Sequence, residues 1–397
     1  MTANDAPKSR VSIVRAEDPV AAVKEALDLI GGMERVIHPG DRVLIKPNFG
    51  VNVSYETGII TDPRVVDALI PACLEARPGR LVVGESSVVG FDTGRVFRAL
   101  GLEGRFEKLG ARLVNLEEDD IIEIPVPEGV VLKKVKMYRS AYESDVIISV
   151  PTMKTHILTG VTLGLKNMKG TLPDKMKKLM HRIGVKEKVR EYELEHAIAE
   201  LNSVRSPDLT LIDGLIANEG YEPGTPGIGG LPVAFNTLVA GLDPVAVDTV
   251  GAYLMGFEPG EVRHIAYAGD RKVGRADLAR ITVVGGDCDQ LRRPFKRPSL
   301  DGVVFDFKDV SLLVGQGCSG CREASLIGLS GMSEEELEGI GEAVVVVGSH
   351  VELPEEHKGK KVYLVGNCTF QSGLKGERIE GCPPPGIHVK QCLLGRS

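Results

Sequence analysis

The chain has 397 residues, 43% hydrophobic and 26% charged, with a net charge of −7 and a pI near 5.7. This is the composition of a folded protein with room for two or three domains, and nothing in it points to disorder. The acidic balance gives no whole-molecule attraction to nucleic acid or anionic lipid, and no run approaches the roughly 18 apolar residues of a membrane helix, so neither partner is expected.

Residues 1–10 carry no apolar export region behind them, and the expected location is the cytoplasm. Short apolar runs at 11–14, 42–45, 81–83, 113–115, 146–150, 209–212 and 281–284 alternate with amphipathic stretches such as 19–30 and 64–75. That alternation predicts βαβ units around a buried, mainly parallel sheet flanked by helices. Between 121 and 137 the apolar residues alternate singly, which predicts an antiparallel excursion turning at Glu128-Gly129. Prolines and a change of rhythm at 297–306 mark a boundary. The expected α/β domains are 1–305, catalytic or ligand-binding, and 306–397, a smaller C-terminal α/β module with strands at 310–314, 343–347 and 361–365.

Four strands of the larger domain end in chemistry. The run 42–45 ends at Lys46-Pro-Asn48, 81–83 at Gly84-Glu85-Ser86, 146–150 leads to Lys154-Thr-His156, and 209–212 ends at Asp213-Gly214. Apolar strands rarely finish in charge without a partner, so these ends predict a cleft. Lys46, Asn48, Lys154, Lys166, Asn167 and Lys169 suit a small anion, and the loop before Lys166 leads into a helix whose first N–H groups would favour one. His156, Glu85, Lys154 and Asp213 are the candidate proton-handling groups. The plainer account of His156 is a turn cap, and that of Lys175, Lys177, Lys178 and His181 an exposed charged face. Asp243 before Pro244 reads as a helix N-cap. The loops Thr61-Asp62-Pro63 and 219–230 are placed to close over the cleft; the second matches no nucleotide-binding fingerprint.

Five of the seven cysteines lie in the last 80 residues, at Cys318, Cys321, Cys368, Cys382 and Cys392. Strand 310–314 runs into Gly315-Gln-Gly-Cys318-Ser-Gly-Cys321, and strand 361–365 into Gly366-Asn-Cys368, so two cysteine loops leave the carboxyl ends of strands, where open α/β folds place ligands. Cys382 precedes three prolines, a familiar close to cluster-binding runs. Cys318, Cys321, Cys368 and Cys382 are therefore the candidate ligands of a [4Fe-4S] cluster, with Cys392 spare or alternate. Four thiolates also suit structural zinc, and unligated thiols remain a third reading. Cys73, on an apolar helix face, and Cys288, in a loop, need no metal.

Taken together, Lys46-Pro-Asn48, Gly84-Glu85-Ser86, the 148–156 segment Ile-Ser-Val-Pro-Thr-Met-Lys-Thr-His, Lys166-Asn-Met-Lys-Gly170, Ile212-Asp-Gly214 and the 241–248 segment Gly-Leu-Asp-Pro-Val-Ala-Val-Asp resemble the signature blocks of the prokaryotic family called domain of unknown function 362. The resemblance spans about 10–290. It implies no established reaction, but it does imply association with iron-sulfur modules; the usual attachment is a ferredoxin-like insert with two regular cysteine runs, from which this tail departs.

The expected function is an iron-sulfur oxidoreductase of anaerobic type, acting on a small carboxylate or phosphate and served by a ferredoxin-like electron donor. A non-redox hydro-lyase or isomerase using iron as a Lewis acid, and an electron-transfer or cluster-carrier protein, are the opposing expectations.

Overall fold

The computed structural model describes residues 9–156, 158–182, 193–220, 230–297, 304–315, 319–349 and 351–396. They fall into two compact units, one running to 180 and again from 193 to 297, the other comprising 181–182 and the residues from 304 onward.

The first unit contains β1 (Ser9–Arg15), β2 (Arg42–Pro47), β3 (Arg80–Glu85), β4 (Arg112–Asn115), β5 (Ile121–Pro125), β6 (Lys134–Tyr138), β7 (Val146–Val150), β8 (Thr152–His156), β9 (Gly160–Thr162), β10 (Leu209–Glu219), β11 (Leu231–Gly241) and β12 (Ile281–Gly285). Among the described residues the main sheet runs β12-β1-β11-β10-β7-β2-β3-β4, and β8 branches from β10 and carries β9. The stretch β10-β7-β2-β3-β4 is parallel, and β7 is buried at every position, which is why its sequence is an unbroken apolar run. The expected mainly parallel sheet flanked by helices is thus present. The sequence reading missed β11, which lies antiparallel between β1 and β10. β5 and β6 form the separate antiparallel ribbon expected at 121–137.

Helices Pro19–Ile30, Pro63–Glu75 and Pro244–Leu254 begin alike. Asp18, Asp62 and Asp243 each accept a backbone N–H of the first turn, while proline occupies the position whose N–H has no helical partner. Asp243 is therefore the N-cap it was expected to be. The first two helices cover one sheet face with a core including Val23, Leu27, Val65, Leu69, Ile45 and Ile148.

Pro151 separates β7 from β8, and the long β10 passes both. Leu209 and Thr210 lie beside Ile148 and Ser149, then Asp213 beside Thr152 and Asn218 beside Lys154. This interruption extends the strand ends past β7 and sets Lys154 beyond Asp213 along the sheet.

The second unit is a five-stranded sheet of β13 (Val304–Phe307), β14 (Val310–Val314), β15 (Ala343–Val347), β16 (Lys361–Val365) and β17 (Glu377–Ile379), paired in that order. β14 to β17 are mutually parallel, and β13 is antiparallel to β14. The expected strands of this module are β14, β15 and β16.

Candidate functional site

The strand ends of the first unit meet in one hydrogen-bonded network. Lys46, fully buried at the end of β2, donates to the Glu85 carboxylate at 2.8 Å and to the Pro47 carbonyl at 2.6 Å. Glu85 is held in place by the N–H groups of Phe49 at 3.0 Å and Ser86 at 2.8 Å. Burial pulls the Lys46 ammonium below its usual range, opposed by the adjacent carboxylate. Asn167 donates to the Lys46 carbonyl at 2.9 Å and to Ser149 Oγ at 3.0 Å, and its own oxygen accepts from Asn48 at 3.4 Å. Lys154 reaches the same place from β8, donating to Asn48 Oδ1 at 2.9 Å and to the Ile59 carbonyl at 2.6 Å. Burial lowers its pKa from 10.5 to about 7, with Glu85 opposing and Lys46 adding to the shift.

Five expected residues, Lys46, Asn48, Glu85, Lys154 and Asn167, are thus brought together. Lys46, Glu85, Lys154 and Asn167 are 0%, 2%, 8% and 3% exposed, so they form a packed cluster more than the wall of an open cleft. Gly170 is what lets the chain close over them. A Cβ there would lie 2.3 Å from Glu85 Oε1 and 2.5 Å from Lys46 Nζ.

Asp213 sits beside this network. Its carboxylate accepts from Asp62 N at 2.7 Å and Leu215 N at 3.0 Å, and burial raises its pKa to about 7 against those bonds. Thr61 bridges to the network, accepting from Asn48 N at 2.8 Å and donating to the Val150 carbonyl at 2.7 Å. Thr61 and Asp62 are buried and fixed, so the expected flap at 61–63 is instead the anchored start of a helix. Of the second expected lid, residues 221–229 lie outside the described residues.

His156 Nδ1 accepts from the N–H groups of Leu158 at 3.1 Å and Thr159 at 3.3 Å, the turn-capping geometry. Lys166 is half-buried and donates at 3.0 Å to the Oγ1 of Thr162, the β9 residue paired with Lys154. Lys169 is also half-buried. The helix start expected to favour an external anion is satisfied internally: Gly164 N and Leu165 N each donate to the buried Asp248 carboxylate at 2.8 Å. Burial raises Asp248 to about 7, and those two bonds oppose the rise.

Lys177 corrects the reading of an exposed charged face. It is 5% exposed and donates to Ser86 O, Ser86 Oγ and Ser87 O at 3.0, 2.7 and 2.6 Å, bolting its helix to the end of β3. Lys175, two residues earlier, is exposed, and the apolar Met176 and Met180 at helical spacing were the available signal. Sequence reasoning also passed over His264, which is fully buried with both ring nitrogens unpartnered among the described residues. Burial pushes it down to about 3 and keeps it neutral.

In the second unit, the segments bearing Cys321, Cys368 and Cys382 follow the carboxyl ends of β14, β16 and β17. Cys318 lies outside the described residues. Cys321, in the first turn of helix Ser319–Ser330, hydrogen-bonds through its thiol to Cys368. That bond, with the Thr369 hydroxyl and local N–H groups, holds the Cys368 thiol below its usual range against the effect of burial. A thiol so placed is readily the thiolate a metal needs. The backbone at Gly366 makes room, with φ of +86° and the Cys321 sulfur 2.2 Å from where a Cβ would be. The Cys382 segment joins by one backbone and one side-chain bond: Asn367 N donates to Gly381 O at 3.0 Å, and Gly381 N to Asn367 Oδ1 at 3.0 Å. Pro383 packs on Gly320. Among the described residues, however, no three His, Cys, Asp or Glu side chains converge closely enough to hold a metal ion. Cys392 Sγ lies 3.6 Å from His388 Nε2 on its own helix. Cys73 is buried in the apolar core, and burial raises its thiol far above the usual range. Cys288 opens the short helix Cys288–Leu291 where a loop was expected.

A mixed, mainly parallel α/β unit with a lysine and carboxamide cluster at its strand ends, followed by a smaller sheet with thiols at its own, is the class of protein these observations define. The chain belongs to the family described as Domain of unknown function (DUF362), whose profile matches residues 43–253 and therefore every signature block from Lys46 to Asp248. It is 29% identical over 247 residues to the thylakoid-associated protein sll1697 of Synechocystis sp., covering 62% of this chain and 73% of that protein. Two solved structures are similar in outline at 12% identity. One is a Thermotoga maritima protein with a TM-score of 0.39, covering 85% of this chain and 73% of that one. The other is the lactate racemase apoprotein of Thermoanaerobacterium thermosaccharolyticum, with a TM-score of 0.40, covering 86% and 70%. Among the described residues no helix is long and apolar enough to cross a membrane.

Proposed function

We propose that this protein is an iron-sulfur enzyme, an oxidoreductase acting on a small carboxylate or phosphate, with a [4Fe-4S] cluster held by Cys318, Cys321, Cys368 and Cys382. The observation that carries the reading is the seating of the Cys321 sulfur on the Gly366 backbone two residues before Cys368, on segments following two parallel strands, with the Cys382 segment tied to the second by hydrogen bonds. Thiols from separate strand ends packed against glycine backbone suit a cluster, which needs thiolate ligands and N–H groups near its sulfides. When bound, the cluster supplies one-electron transfer, from a donor of ferredoxin type in a reducing cytoplasm.

The chain's own residues handle charge and protons. Lys46 and Lys154 offset substrate charge, and Lys166 at the edge adds a third cation. Glu85, pinned by two N–H groups, fixes the Lys46 ammonium, while Asn48 and Asn167 orient the site by bonding across it. Asp213 adds a buried carboxyl that changes charge near neutral pH.

Anaerobic purification followed by iron, sulfide and zinc analysis and electron paramagnetic resonance tests the cluster. The expected result is a brown protein with about four irons per chain and a reducible paramagnetic signal. Cys321→Ser and Cys368→Ser lower the iron content, and Cys73→Ser, in the core, does not. Colourless protein with stoichiometric zinc, or equal losses in all three variants, overturns the reading.

A further inference from the structure

We propose that Lys154 is the proton-exchanging group of the strand-end cluster, and that the third bonding position of its Nζ, which no acceptor among the described residues fills, receives an oxygen of a small oxyanion. The proposal rests on the anion-binding half of the reading above and is independent of the cluster.

Three lysines are buried here, and their partners separate them. An ammonium has three N–H donors. Those of Lys177 meet three oxygens within 3.0 Å, with Asp174 at 3.6 Å as counter-charge. Lys46 has the Pro47 carbonyl, the Glu85 carboxylate and, at 3.5 Å, the Asn167 oxygen. Among the described residues Lys154 has two acceptors, Asn48 Oδ1 and the Ile59 carbonyl, both uncharged. Among the described residues no carboxylate lies within ion-pair distance of it. A buried cation in that position either gives up its proton or takes an anion.

The geometry accommodates both states. As a neutral amine, Lys154 donates two hydrogens to its two acceptors and keeps a lone pair at the third position. As an ammonium, it offers a third N–H there. When an anion enters, the lone pair takes one proton, from solvent or from the acid form of the ligand, and the new N–H donates to the ligand oxygen. No bond to carbon changes and no electrons move. The lowering to about 7 agrees with this and has the physical cause already given, burial first.

The charged groups around Lys154 set the balance. Glu85 on β3 favours the ammonium and Lys46 on β2 opposes it. Asp213 lies on β10 and Asp62 beside it, while His156 shares β8 and Lys166 bonds Thr162, the β9 partner of Lys154. Asn48 is a positioning residue, since its oxygen holds Lys154 and its amide nitrogen bonds Asn167.

The full-length protein carrying [ε-13C]lysine, followed by carbon NMR across a pH titration, reads this group directly. One resonance titrates near neutrality and disappears in Lys154→Met. Saturating inorganic phosphate or oxalate raises its midpoint by about one pH unit or more, a tenfold preference for the charged form. A response to phosphate alone, or to oxalate alone, assigns the oxyanion class. Asn48→Asp, nearly isosteric, supplies an internal counter-charge. It therefore raises the midpoint without ligand and blunts the response to both anions, which gives a second readout should Lys154→Met fail to fold. A resonance that stays ammonium-like to pH 10, or a midpoint that neither anion moves, overturns the proposal. Iron content is unaffected by these outcomes, so failure here and failure of the cluster are distinguishable.

Discussion

Replacing Gly170 by alanine tests whether the strand-end cluster is packed as described. Gly170 lies in the helical turn Met168–Thr171, outside the left-handed region, so the backbone accepts alanine. In open space the substitution would stabilise the fold by about 0.5 to 1 kcal/mol, because glycine loses more freedom on folding. Here the new methyl would meet Glu85 Oε1 at 2.3 Å and Lys46 Cε and Nζ at 2.5 Å. Both are ends of flexible side chains, but neither is free to swing. Glu85 is tied to two N–H groups and Lys46 to the Pro47 carbonyl, all within 3.0 Å. Relieving the overlap costs about 1 to 3 kcal/mol of overpacking, and lengthening a buried charged hydrogen bond adds about 1.5 to 3 kcal/mol. Offset by the backbone gain, the expected net destabilisation is about 2 to 5 kcal/mol. Urea unfolding followed by circular dichroism measures it, with Gly170→Ser expected to be at least as costly. A Gly170→Ala variant as stable as the native chain, or more so, would refute the close packing of Gly170 on the Lys46–Glu85 pair.

Two further outcomes follow from buried carboxylates. Glu200, fully buried, accepts from the N–H groups of Val130, Val131 and Leu132 and from Arg271 at 2.8 Å, clamping the chain between β5 and β6. Glu200→Gln keeps the shape but turns an acceptor into a donor facing these groups, with an expected loss of about 2 to 4 kcal/mol in urea unfolding; a loss below about 0.5 kcal/mol would show the clamp to be idle. For Asp213, burial raises the carboxyl from 3.8 to about 7, so between those values the unfolded chain binds fewer protons than the folded one. Its contribution to stability therefore falls as pH climbs from about 4 to 7, by at most about 4 kcal/mol. Native protein should lose stability relative to Asp213→Asn across that window, and parallel urea midpoints from pH 4.5 to 8.5 would contradict the shift.

The parallel strands were legible because burial on both faces demands long apolar runs, and β7 or β15 is little else. The Asp-Pro helix starts were legible because their chemistry is local. β8 was not. Its residues Thr-Met-Lys-Thr-His are buried but mostly polar, and three of the four polar side chains are met by partners far along the chain: Thr152 by the Gly58 carbonyl, Lys154 by Asn48, Thr155 by the Gly220 carbonyl. Lys177 was misread for the same reason, since the oxygens that bury it lie 90 and 91 residues away.

By itself the sequence determined which residue types stand at the ends of strands, since apolar period and strand length are properties of neighbours in the chain. It also carried the family, through blocks from Lys46 to Asp248 that remain recognisable in order. Only the tertiary structure decided what those residues do to one another. Lys46 acquires a carboxylate, Lys177 a cage of oxygens and Lys154 neither, because side-chain partners and burial are set by strand order, and strand order is long-range.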